Sequence, residues 1–86
     1  MKNGGVKLMA VFEEALNEFC GEKVIVLKDI MTLDGIYVQH YMLIKNLDAF
    51  MQMQYLCSGD KVVFTGNYYK NSNYGVLLPR DFTLAS

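Results

Sequence analysis

"GGVKLMAVFEEALNEFCG", residues 4–21, decides the fold, because its apolar side chains fit two different periods at once. At helical spacing Leu8, Phe12, Ala15, Leu16 and Phe19 share one face, Glu14 and Glu18 oppose them, and Gly21 stands where a helix C-cap would. At a period of two, Val6, Leu8, Ala10 and Phe12 share one face of a strand that follows Gly4-Gly5, and "ALNEFCGE" becomes a connection. Local pattern supports both readings, so the choice depends on the elements that follow.

Those elements are mostly β. "KVIVLKDIM" (23–31) is a β-branched run with apolar side chains on both faces, as in a strand covered on both sides. "TLDGI" supplies a turn through Asp34-Gly35, and "YVQHYMLIKN" (37–46) returns, so residues 23–45 read as a hairpin. The returning strand puts Val38, His40, Met42 and Ile44 on one face and Tyr37, Gln39, Tyr41 and Lys45 on the other. "NLDAFMQMQYLC" (46–57) breaks the pattern: Asn46 suits a helix N-cap, and Leu47, Phe50, Met51, Gln54 and Tyr55 recur at helical spacing. "SGD" then opens a second hairpin, Lys61 to Tyr68 and Tyr74 to Leu78, around the polar turn "KNSN" (70–73). Gly66 marks a bulge, which would decide whether Tyr68 or Tyr69 faces outward. Pro79 limits pairing near the end of the fifth run, and "DFTLA" resumes the alternation.

With a strand first, the order is β-β-β-α-β-β, that of the OB-fold: five strands in a Greek-key barrel with one short helix between the third and fourth. With a helix first, the chain is an α+β arrangement, an N-terminal helix on a four-stranded antiparallel sheet. Four strong strands protect their edges better with a fifth, which favours the mainly β barrel.

Eighty-six residues make one domain, 1–86, with a single modest core, folding by itself or as a homo-oligomer. A composition 52% hydrophobic and 20% charged is globular. A net charge of −1 excludes a strongly basic, salt-driven nucleic-acid binder; Lys61, Lys70 and Arg80 make one end mildly positive without forming a basic patch. Cys20 and Cys57 lack zinc spacing and read as reduced, buried thiols. The N-terminal residues do not read as a signal peptide and no apolar run of roughly 20 residues occurs, so a cytoplasmic chain without membrane contact is expected.

The chain resembles small OB-fold proteins of bacterial phages and mobile elements, of the type that binds single-stranded nucleic acid. The residues that carry the likeness are "VIVLKDIMTLDGIYVQHYMLI" (24–44), the short helix with Phe50, "GDKVVFTGNYYKN" (59–71) and the terminal "DFTL". The resemblance covers most of the chain, implies that "VKLMAVFEE" is the first barrel strand, and departs in "VLLPRDF" and in the low basic content.

OB-folds bind oligonucleotides across strands two and three, flanked by the loops joining strands one to two and four to five. That surface here would hold Lys28, Tyr37, Gln39 and Tyr41, with Phe19 from the first loop and Tyr68, Tyr69, Lys70, Asn71 and Tyr74 at the second. Tyrosine faces would stack bases while lysines track phosphates; the plainer role for each tyrosine is packing over the barrel with its hydroxyl wet. His40, alternating with Val38 and Met42, reads as a core or barrel-end histidine. The methionines beside Tyr55 fill core or offer an adaptable partner surface. No catalytic constellation, cofactor motif or metal-ligand spacing is recognisable, so a non-enzymatic module is expected. The expected function, with the setting that the resemblance implies, is binding of single-stranded nucleic acid in replication or recombination of a phage or mobile element or, as the alternative, binding or inhibition of a host or partner protein.

Overall fold

The computed structural model describes residues 5–68 and 76–85. Five antiparallel strands, β1 (Val6–Phe19), β2 (Glu22–Thr32), β3 (Tyr37–Ile44), β4 (Lys61–Tyr68) and β5 (Val76–Ala85), form one sheet in the order β3-β2-β1-β4-β5, with a single short helix, α1 (Leu47–Met53), between β3 and β4. The fold is mainly β, and the N-terminal helix of the α+β alternative is not formed. Among the described residues the sheet is not closed into a barrel: β3 and β5 lie at its two ends and share no ladder.

Residues 6–19 are a strand because two neighbours compete for them together. Val6 to Val11 pair with β4, Leu8 to Phe19 pair with β2, and Leu8, Ala10 and Phe12 are buried in alternation. A helix would give up the Ala10 contact and both ladders. The strand runs through "ALNEF", which was expected to be a connection, and turns at Cys20-Gly21, whose φ values of 53° and 81° are both positive as the tight two-residue hairpin turn requires.

Beyond Val11 the β4 ladder continues onto the loop before it: Phe12 N–H donates to Asp60 O at 2.7 Å and Gly59 N–H to Phe12 O at 2.9 Å. Asp60 Oδ2 in turn accepts the Cys57 N–H at 2.9 Å and the Asp60 N–H donates to the Cys57 carbonyl at 3.0 Å, so residues 57–60 form a folded turn. Neither cysteine is buried as expected; Cys20 sits at the hairpin tip and Cys57 in this turn, both exposed.

Under the sheet, Asn46 caps α1 by accepting the Ala49 N–H at 3.1 Å, and the helix turns Ala49, Phe50 and Met53 into a core with Leu27, Ile44 and Val62. Full burial of one such phenylalanine contributes about 1.5–3 kcal/mol. Phe64 and Phe82 stack there with centroids 5.4 Å apart.

The irregularity expected in β4 at Gly66 falls beside it, on β5. From Thr65 to Asn67 β4 advances two residues while β5 advances three, from Arg80 to Leu77, and Leu78 takes φ 52°. Gly66 itself pairs regularly with Val6, and it is glycine because a Cβ there would overlap the Val76 side chain. Pro79 therefore does not end β5: it lies in this bulge, where the ladder asks for no donor, and the strand continues to Ala85.

Candidate nucleic-acid interface

The register assigns the tyrosines of β3 to a face. Met9 and Val11 share the face of β1 opposite Leu8, Ala10 and Phe12, because β1 and β4 pair without interruption from Val6 to Val11. Met9 pairs with Met31 and Met31 with Tyr37; Val11 pairs with Lys28 and Lys28 with Tyr41. Cross-strand partners lie on one face, so Tyr37, Tyr41, Lys28, Met31, Met9 and Val11 together line the outer side of the sheet. Lys28 and Met31 share it only because β2 carries an extra residue at Asp29, φ 52°, and β3 carries one near Val38.

Tyr37 is 53% exposed and Tyr41 50%, about 13 Å apart along the strand at roughly 3.3 Å per residue. Leu43, 45% exposed, extends the row. Lys28 Nζ is bound to Glu13 Oε1 at 2.9 Å, and that hydrogen bond and charge raise the lysine pKa above its ordinary value. Its charge is therefore shared with a carboxylate on the same face.

Gln39 is not free. Its Oε1 accepts the Val76 N–H at 2.8 Å and its Nε2 donates to the Tyr41 carbonyl at 2.6 Å, which uses both ends of the amide. Of the second-hairpin group, Tyr68 is the residue of β4 that pairs with Val76, while Tyr69, Lys70, Asn71 and Tyr74 lie outside the described residues. Phe19 does not flank the face from a loop: it ends β1 opposite Glu22, since only the two-residue turn joins β1 to β2. His40 is not a core histidine. Asp29 lies beside it where β2 bulges, its Nδ1 is 3.6 Å from Asp29 Oδ1, and its ring meets the exposed Tyr41 ring edge-on at 4.4 Å.

Sequence reasoning missed the apolar band of Met9, Val11, Met31 and Val63 on this outer side, and it missed Glu13. The band is partly buried by its own neighbours and was hidden by the bulges; Glu13 reaches Lys28 because β1 carries an extra residue between Phe12 and Glu14. A notch of about 100 Å³ bordered by Met9, Val11, Met31, Asp29 and Lys61 opens onto the face, below the roughly 300–1,000 Å³ of a small-molecule pocket. The face suits an extended ligand lying across it. Other cations are engaged elsewhere: Lys45 lies 3.8 Å from Glu22, Lys23 donates to Asn17 Oδ1 at 3.0 Å, and Arg80 donates to Asn67 Oδ1 at 3.1 Å. Among the described residues Lys7 and Lys61 form no ion pair.

A groove of about 290 Å³ runs between α1 and the end of β5, lined by Gln52, Met53, Leu56, Val62, Phe82, Thr83 and Leu84, with no titratable side chain. Beside it α1 exposes Leu47 and Met51, and Tyr55 follows. The two roles offered for these methionines as alternatives divide between them: Met53 is buried in the core and Met51 is exposed. Among the described residues no cluster of three or more His, Cys, Asp or Glu could hold a metal ion, and no helix is long and apolar enough to cross a membrane. Compared with protein-family models, with curated proteins and with solved structures, the chain matches none.

Proposed function

We propose that the protein is a non-enzymatic OB-type module that binds single-stranded nucleic acid across β2 and β3. The observation that carries this reading is the pair Tyr37 and Tyr41, half-exposed on one face with Lys28 beside them. Each ring offers a sequence-tolerant stacking platform worth roughly 1–3 kcal/mol per base. The strand order, with a helix between β3 and β4 and an unladdered seam between β3 and β5, supports an OB-type barrel that is partly open. The setting implied by the resemblance is replication or recombination of a phage or mobile element.

Because Glu13 shares the charge of Lys28, stacking supplies most of the affinity and phosphate attraction little, so the dependence on salt is shallow. Fluorescence anisotropy with labelled single-stranded DNA and RNA over a salt series tests it. Binding at low salt that weakens modestly is expected; no binding at low salt, where phosphate attraction is strongest, overturns it.

A second reading, a protein-interaction module, rests on a different surface. Leu47, Met51 and Tyr55 lie exposed beside the apolar groove, and such exposed apolar patches mark protein contacts. A partner retained by the native chain and lost by Met51→Lys supports it; capture unaffected by Met51→Lys counts against it.

A further inference from the structure

Among the described residues β3 and β5 each leave one edge without a ladder, and the chain of antiparallel pairings through β2, β1 and β4 makes them run parallel to each other. One side-chain amide joins these edges. Gln39 Oε1 accepts the main-chain N–H of Val76, the first residue of β5, and Gln39 Nε2 donates to the main-chain carbonyl of Tyr41 in β3. A carboxamide offers the same donor and acceptor as a peptide group, so it occupies the place of one rung between two strands that do not pair directly. Val76 is held from its other side as well, since its side chain packs into the space that Gly66 leaves.

We propose that Gln39 is a positioning residue, whose amide is the rung that ties β5 to the backbone carrying the Tyr41 ring. The rung satisfies a donor at Val76, which is buried, and an acceptor at Tyr41, both of which would otherwise stand on bare strand edges. It also fixes where Tyr41 lies relative to β5, and so the width of the surface across which a ligand stacks. This last step rests on the nucleic-acid reading above; the rung does not.

The substitutions separate the two bonds. Gln39→Met keeps the length of the side chain and removes both. Gln39→Glu keeps an acceptor for Val76 and, ionised, removes the donor to Tyr41. In the full chain, amide exchange followed by NMR is expected to show Val76 exchanging about tenfold faster in Gln39→Met, with Leu27 and Phe64 unchanged as core controls. Gln39→Glu restores the Val76 protection. Anisotropy with an oligothymidylate probe is expected to show several-fold weaker binding for both variants, because both lose the Tyr41 bond.

Unchanged Val76 exchange in Gln39→Met overturns the rung. If Gln39→Met does not fold, Gln39→Glu decides: fast exchange at Val76 there overturns it equally. Faster Val76 exchange with oligothymidylate affinity unaltered overturns the positioning of Tyr41. Failure of the native chain to bind oligothymidylate removes the nucleic-acid reading and with it that positioning role, while the rung stands or falls on Val76 alone.

Discussion

The two end strands, β3 and β5, solve the same problem differently. Each presents an open edge to which another chain could pair. β5 is distorted along its length: Leu78 and Asp81 take positive φ, Pro79 lies between them, and Arg80 braces the first bulge by donating to the Leu78 carbonyl at 2.6 Å and to Asn67. Such bulges turn an edge away from further pairing. β3 carries one bulge and no proline, and it keeps Tyr37, Tyr41 and Leu43 exposed. The strand that carries the exposed tyrosines is the smoother one, and the strand that puts Val76 and Phe82 into the core is the one made awkward.

The largest expected effect breaks the β5 side. Gly66→Ala drives a methyl group into Val76, within reach of Leu8 and Phe64, and is expected to cost about 1–3 kcal/mol in urea unfolding. An unchanged midpoint would mean that β5 is not seated on β4 as described. On the β3 side the effects are expected in binding and not in folding. Tyr41→Ala and Tyr37→Ala each lose about 1–3 kcal/mol of affinity for an oligothymidylate in anisotropy titrations. Their unfolding free energies change by only about 0.5 kcal/mol, as at other surface positions. Equal affinity in both variants and the native chain would remove these rings from the interface.

The smallest effect belongs to the ion pair at the border of the two regions. The pKa of Lys28 is raised in the folded protein, chiefly by its hydrogen bond to Glu13 and by that carboxylate's charge. The stabilisation is therefore complete below the lysine pKa of the unfolded chain and disappears as pH rises through the higher folded value. Glu13→Gln should be slightly less stable than the native chain at neutral pH, and the gap should close at strongly alkaline pH. A gap that stays constant up to that limit would show that Glu13 acts by some route other than Lys28.

Much of this architecture is legible in residue patterns. The runs 23–31 and 37–44, the Asn46 cap, and "GDKVVF" as a turn followed by a strand all stand where period and turn chemistry put them, but the helix is shorter than its pattern and buries Ala49, Phe50 and Met53 while Leu47, Met51 and Tyr55 of the expected stripe are exposed. The first strand was ambiguous because Leu8 and Phe12 satisfy both periods, and only pairing with two neighbours at once chooses between them. Its true end was obscured by reading Gly21 as a helix cap. The sequence Cys20-Gly21 between two strands is also a hairpin signal, since glycine accepts the positive φ of the second turn position.

The face of the candidate site was partly legible, its chemistry less so. Lys28, Tyr37 and Tyr41 are brought to one face, but by the extra residues at Asp29 and near Val38 and not by simple alternation. That Glu13 would take Lys28 depends on a bulge in another strand, and that Val76 would take Gln39 depends on a contact 37 positions away. No local pattern carries either fact. The same holds for His40, whose place in the alternation points inward while the bulge opposite it leaves it exposed.

The central position of β1 has a consequence for the chain as a polymer. Its pairing with β2 closes through two turn residues, whereas its pairing with β4 joins Val6 to Gly66, so one strand spends one of its edges on a very short loop and the other on a very long one. Loop entropy grows only as the logarithm of length, about 0.6 kcal/mol for each doubling. Most of the chain can thus be threaded between these two partners at an entropic cost comparable to that of losing a single hydrogen bond or two. A surface strand could lengthen the stretch between β2 and β4 with little penalty, and the N-terminal rail that holds both halves would not register the change.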